Sequence, residues 1–302
     1  MSIRSRHIFS AFVLALALAS SVAAQSSARR ASVAVLDFGE TQTGKRAAER
    51  LAAALASHPE LALADRDESR AAARGSGYGG SLNLTLSEAR DLGSALGADF
   101  YLLGDAQTVR RSPSDRPAYY EAYASLFFVS TRTGRLIMWE MPSAEAASPE
   151  AAEKLLLAAL GGEESRYRYL IATRRAQEDE RNERARALEL PSPLIEDAPD
   201  EASPAARGLR LPAPYRRLQP VYPDTAARAG AEAVVDVLAE IDADGEVGRI
   251  DVVRWAGYGL DQATVGTVRQ LHFRPAMRGG VRVPLRVLLR YNFRRPAEEG
   301  KR

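Results

Sequence analysis

The sequence predicts an α+β protein: a small α/β domain over residues 31–160, a charged and proline-rich linker over 161–215, and a domain of antiparallel strands packed with helices over 216–295. Three observations carry this. The chain opens with an apolar strand, a glycine-containing loop and a helix across residues 32–51. After Gly161 and Gly162 the apolar periodicity fades into charges of both signs and then into frequent prolines. Residues 233–241 and 281–294 alternate apolar and polar side chains with the period of two that a half-buried strand requires.

Before the first strand, Arg4 and Arg6 precede an apolar run from Ile8 to Ala19, followed by small residues with Val22 and Ala24 suiting a cleavage site. Residues 1–24 read as a Sec-type export signal and the mature protein as periplasmic; the competing reading is a retained inner-membrane anchor over 8–24, about the shortest stretch that spans a bilayer. With 302 residues, 46% of them hydrophobic, the chain can bury one large core or two ordinary ones. Its 41 Lys and Arg nearly balance 39 Asp and Glu, which argues against a nucleic-acid partner. Cysteine is absent, which excludes disulfides, thiolate metal sites and a lipidated amino-terminal cysteine.

In the first domain, the expected order is a strand at 32–38, a helix at 45–56, a short strand at 61–64 and a polar helix at 67–74. The glycine-rich GSGYGG of residues 75–80 breaks the chain. Thr85 and Glu88 form a capping box ahead of a helix that Gly97 stops. A buried strand follows at 99–104, two apolar runs around a glycine turn read as a hairpin over 122–140, and a helix over 149–160 closes the domain. The loop from Gly39 to Lys45 matches GxxxxGK between strand and helix. Arg46 nevertheless stands where a phosphate loop needs a hydroxyl for magnesium, so a plain strand-to-helix connection is expected and no nucleotide cofactor.

The linker reads as a solvated helical rod followed by an extended tether. In the last domain, Val235, Val237, Ala239 and Ile241 share one strand face; DADGE, residues 242–246, makes a hairpin turn into a second strand; and Leu260, Thr264, Val268 and Leu271 recur at helical spacing. Asp242 and Asp244 do not begin a calcium loop, because Val247 and Val253 stand where that loop needs Gly and Glu. The closing run, 281–294, reads as one long strand with Arg282, Arg286, Arg290 and Arg294 outward. That stripe is either a solvated sheet face or a basic contact face for acidic receptor loops, peptidoglycan or lipid phosphate.

Residues 216–295 resemble the TonB carboxy-terminal domain family. The motifs fall in order: QPVYP at 219–223, an alanine-rich turn, the strand ending IDADGEV, the LDQAT helix, FRPA at 273–276 and the closing alternating strand. Ala233 replaces a glycine common in the family. The resemblance implies a non-enzymatic module that binds a segment of an outer-membrane TonB-dependent receptor, or of another envelope protein, by adding the partner's strand to a sheet edge. By analogy, Leu271, His272, Phe273 and Arg274 would supply the pairing edge, with Gln219 and Tyr222 on the approach. The alternative is a structural adaptor binding peptidoglycan or an envelope assembly without energy transduction. More faintly, VAVLDF (33–38), LALADRD (61–67), ALGADFYLLGD (95–105) and STRTGRLIMWE (130–140) resemble the amino-terminal domain of TolB and the curli-assembly protein CsgG, which implies protein contacts in the envelope. Three scattered histidines and no GxSxG or HExxH motif leave neither a catalytic nor a metal site expected; His58 reads as a helix-end residue.

Overall fold

A computed structural model describes residues 30–189, 195–199, 203 and 207–295. The expected signal or anchor lies outside these residues, as does part of the linker. Among the described residues no helix is long and apolar enough to cross a membrane.

In the first domain, β1 (Ala31–Phe38) runs parallel to β2 (Leu61–Leu63) and to β3 (Phe100–Arg111). β3 pairs antiparallel with β4 (Tyr119–Ser130) along twelve residues, and β4 continues to β5 (Leu136–Glu140) and β6 (Ser143–Ala146). Helices α1 (Gln42–Ala56), α4 (Pro149–Leu160) and α5 (Glu163–Glu189) cover one face, where Val33, Val35, Leu102, Leu126 and Phe128 are buried. Helices α2 (Arg66–Gly75) and α3 (Leu86–Leu96) cover the other, over Ala34, Leu36, Tyr101 and Val129. The expected capping box is formed: the Thr85 hydroxyl accepts from Glu88 N at 3.1 Å while the Glu88 carboxylate accepts from Thr85 N at 2.7 Å.

The loop after β1 is a capped connection. Thr41 is the N-cap of α1, and its hydroxyl takes the Gly44 amide at 2.9 Å, the group a phosphate would claim. Gly44 is required because a Cβ there would collide with the Phe38 carbonyl. Lys45 lies exposed on the helix, and Arg46 reaches Glu153.

One expectation is corrected in part: α5 is exposed throughout residues 181–188, as a solvated rod would be, but its first half is not. Ser165, Tyr169, Thr173 and Ala176 are buried against the sheet at helical spacing, and the Tyr169 hydroxyl donates to Glu140 at 2.7 Å. Glu180 and Glu183 extend the attachment through Arg132 and Arg135. Apart from Tyr169 and its neighbour Leu170 the buried positions are small or polar, so the helix shows no sustained apolar period.

The second domain begins inside the expected linker, with β7 (Leu209–Arg210) and β8 (Ala213–Pro214). After α6 (Asp224–Ala229) come β9 (Ala233–Ile241) and β10 (Val247–Arg254), the expected hairpin. Then follow α7 (Leu260–Val268), β11 (Phe273–Arg274), β12 (Ala276–Arg278), β13 (Val281–Val283) and β14 (Leu285–Phe293). The closing run is thus two strands rather than one, broken at Pro284, which has no amide to donate to a ladder. β13 joins β12 and β7, whereas β14 pairs with β9 in the order β10-β9-β14. The core of this domain gathers Val235, Val237, Ala239 and Ile241 from β9 with Leu260, Val268, Phe273, Leu285 and Val287.

The two domains are packed together. Trp255, only 2% exposed, completes the apolar layer beneath α3, its ring 5.7 Å from Phe127 and its Nε1 donating to the Gly134 carbonyl at 2.9 Å. Tyr258 lies edge-on to Phe127 and 5.1 Å from Trp139. Asn83 spans the seam: Nδ2 donates to the carbonyls of Val234 (2.8 Å) and Trp255 (2.7 Å), and Oδ1 accepts from Val234 N (3.0 Å).

Candidate functional site: the open edge of β14

The expected pairing edge, Leu271 to Arg274, is already closed. β11 pairs with β8, and Tyr215 N donates to the His272 carbonyl at 2.9 Å. On its other side Phe273 N donates to the Gly245 carbonyl at 2.8 Å. Gly245 has φ of +90° at the hairpin tip, and a side chain there would strike the Phe273 carbonyl, so the turn and β11 need each other. Leu271 and Phe273 are buried core residues. His272 is exposed and pairs with Glu246 at 3.0 Å; Arg274 is exposed with its guanidinium over the Tyr215 ring. Tyr222 pins the chain internally, its hydroxyl donating to the Ala231 carbonyl at 2.8 Å, and burial pushes its pKa up.

The sheet has two outer strands, β10 and β14, and the one beside the expected residues is β14. It pairs with β9 on one side only, and in an antiparallel ladder alternate residues turn their backbone groups away from the partner. Arg286 is one of these, since its N–H and C=O are engaged by residues 196–198. By the same alternation Leu288, Arg290 and Asn292 face outward, and nothing among the described residues pairs with their backbones. A groove of about 390 Å³ runs beside them, lined by Pro214, Leu218, Gln219, Leu271, Phe273 and Tyr291. Three of the six residues expected to bind a partner, Gln219, Leu271 and Phe273, therefore gather on this groove, as its wall rather than as the strand that pairs.

The arginine stripe is not a free basic face. Arg290 makes a bidentate pair with Asp236, at 2.7 and 2.9 Å, and that carboxylate is only 3% exposed. Arg254 reaches the same carboxylate at 3.4 Å. Arg286 pairs with Asp197, and Arg282 with Asp244 at 3.6 Å; Arg294 is exposed. Partners neutralise three of the four charges locally, so the stripe works mainly as one side of ion pairs.

A second groove, of about 570 Å³, lies at the domain seam beside Trp139, Ile250, Val252 and Arg269. It contains Asp261, whose carboxylate accepts from Ala256 N and Gly257 N at 2.9 Å each and so fixes the loop presenting Trp255 and Tyr258. Burial raises the Asp261 pKa to about 6, partly offset by those two amides. Among the described residues no cluster of three His, Asp or Glu is placed to hold a metal ion. The histidines are apart, His58 at the end of α1 and His272 beside Glu246.

Residues 218–294 match the family model for the Gram-negative bacterial TonB protein C-terminal. Among solved structures, the TonB carboxy-terminal domain of Pseudomonas aeruginosa is similar at 28% identity, covering 30% of this chain and 90% of that one, with a TM-score of 0.25. The C-terminal domain of LpoB from Escherichia coli is similar at 19% identity, covering 39% and 85%, with a TM-score of 0.27. PelC of Paraburkholderia phytofirmans, solved as a dodecamer, is similar at 15% identity, covering 44% and 87%, with a TM-score of 0.28. No curated protein sequence matches the chain.

Proposed function

We propose, taking residues 218–294 as a TonB carboxy-terminal domain, that this is a non-enzymatic periplasmic protein that binds an extended segment of an outer-membrane receptor by strand addition in TonB-type transport. The observation that supports this reading is the side of β14 left open among the described residues: three successive outward positions, Leu288, Arg290 and Asn292, beside a groove of about 390 Å³. An edge strand that ends neither in a bulge nor under a helix is a standing template for another backbone. Each main-chain bond added there contributes about 1 kcal/mol net, so the six groups of three outward residues give about 6 kcal/mol, only the low end of the entropy cost of association. The groove must supply the rest by burying side chains against Leu271, Phe273 and Tyr291. Affinity and selectivity are therefore set by the side chains of the incoming strand that face the groove.

The absence of cysteine makes a direct test simple. Leu288→Cys or Asn292→Cys gives a single thiol on the edge, to be crosslinked to receptor segments carrying cysteine at successive positions. Disulfides formed at every second position of the segment are the expected result, because strand pairing has a period of two. Uniform failure to crosslink, with firm sedimentation on peptidoglycan, would replace this reading with that of a structural adaptor.

A further inference from the structure

We propose that the edge of β14 at Arg286 is a recognition site for an extended segment bearing two successive carboxylates, and that residues 196–198 of the chain occupy it as a built-in competitor. The proposal deepens the strand-addition reading and rests on it for the identity of the visiting partner.

The occupant is seated as an added strand would be. Asp197 forms a parallel bridge with Arg286: Arg286 N donates to the Glu196 carbonyl at 2.9 Å, and Ala198 N donates to the Arg286 carbonyl at 2.7 Å. Side chains add a charge code to this backbone match. The Arg286 guanidinium holds the Asp197 carboxylate, and Arg278, projecting from β12, grips Glu196 through two nitrogens at 2.7 and 3.3 Å. Two arginines on separate strands thus read two consecutive carboxylates along one extended backbone. Ala198 packs against the domain core. Arg278 and Arg286 hold the carboxyls of Glu196 and Asp197 below the usual range, so both are ionised at neutral pH. Glu240 and Asp251 also lie within the field of Arg286, which reduces its attraction for any single carboxylate.

The contact is built to be displaced. Among the described residues its ladder is one bridge long, and the outward positions from Leu288 to Asn292 are left open. The Glu196 and Asp197 side chains are 61% and 64% exposed, so solvent and salt weaken both ion pairs. What holds the segment is its tether: Ala198 and Leu209 are joined by a short run of chain, giving an effective concentration on the order of millimolar. A partner strand that pairs with Leu288, Arg290 and Asn292 as well gains bonds the internal segment does not make. It can therefore expel the internal segment, whereas an acidic peptide with no further contacts cannot.

The test uses the full chain, ¹⁵N-labelled, with a synthetic peptide of the chain's own sequence LIEDAPD as probe. In the strap variant Glu196→Gln/Asp197→Asn/Ala198→Pro, the peptide should bind at least tenfold more tightly than to the unaltered protein. Amide shifts should centre on Arg286 and extend to Leu288. Adding Arg278→Gln to the strap variant, or using the peptide LIQNAPD, should weaken binding several-fold. The double variant Glu196→Gln/Asp197→Asn, which leaves the backbone intact, guards against an effect of the proline on folding and should give the same order. Equal affinity for strap variant and unaltered protein, or no binding to a strap variant with native circular dichroism, would overturn the proposal. If the peptide behaves as expected but receptor segments bind neither protein, the self-occupied site stands and the receptor reading falls. If receptor segments bind both proteins equally and the peptide binds neither, the competitor is refuted alone.

Discussion

Replacing Asn83 with alanine isolates the attachment between the domains. The side chain lies in neither core but makes three hydrogen bonds, two to carbonyls of Val234 and Trp255 and one from the Val234 amide. Removing it strands three main-chain groups at a seam that Trp255 and Tyr258 keep largely dry. A net hydrogen bond contributes about 1 kcal/mol and a stranded buried group costs about 1–3 kcal/mol; Asn83 is only half-buried and water can reach part of the gap, so roughly 2–3 kcal/mol is expected. With a urea m-value of about 2–3 kcal/mol/M, that shifts a midpoint by roughly 1 M. The assay is built into the chain, whose two tryptophans, Trp139 and Trp255, both stand at this seam. Tryptophan fluorescence therefore reports the seam while far-UV circular dichroism reports both domains. In Asn83→Ala the fluorescence transition should move to lower urea and separate from the dichroism transition. If both transitions stay coincident with unchanged midpoints, Asn83 does not couple the domains and the seam is held by apolar packing alone.

Three further outcomes follow from single groups. Asp261 has its folded pKa raised from 3.8 to about 6, so its contribution to stability is complete below the unfolded pKa and is lost as pH rises through 6; the loss is on the order of 3 kcal/mol. Urea midpoints at pH 4 and pH 7.5 should show that fall in the unaltered protein and a flatter profile in Asp261→Asn. Gly245→Ala places a side chain at φ of +90° against the Phe273 carbonyl. Strain and the broken Phe273–Gly245 bond should cost at least about 2 kcal/mol, seen as faster amide exchange at Phe273. Arg290→Ala leaves the buried Asp236 with Arg254 alone at 3.4 Å, and thermal unfolding should register a loss of roughly 1–3 kcal/mol.

The parts legible in the sequence are those where one local rule suffices. The β9–β10 hairpin follows from alternation plus Asp-Gly, because a residue pair that tolerates positive φ sets the register of both strands at once. The α3 capping box follows likewise from Thr85 and Glu88. Illegible parts depend on contacts between distant residues with no local period. The buried residues of α5 are Ser165, Tyr169, Leu170, Thr173 and Ala176, of which only the adjacent Tyr169 and Leu170 are large apolar bodies, so none recurs a turn later. Pairing of β8 with β11 joins two-residue strands some sixty residues apart, and Pro214 made its segment look like a tether. Pro284 was a readable warning that the closing run is two strands; clean alternation on both sides of it obscured the break.

These failures bear on the binding site in one direction. Much of the linker that the structure describes is engaged: the first half of α5 on the first domain, β7 and β8 on the second, and residues 196–198 on β14. The carboxy-terminal domain therefore does not project on a free tether; it is packed against its neighbour through Trp255 and partly covered by its own upstream chain. A short isolated strand such as β11 is absorbed by this arrangement because its backbone groups must be satisfied somewhere, and the nearest donors belong to the same chain. β14 is longer than the segments available to cover it. Nine residues pair along β9, yet among the described residues only one outward position meets an internal partner, so the open positions cluster from Leu288 to Asn292. In the proposed strand addition at β14, the register is set by where the chain's own segment stops, at the bridge to Arg286.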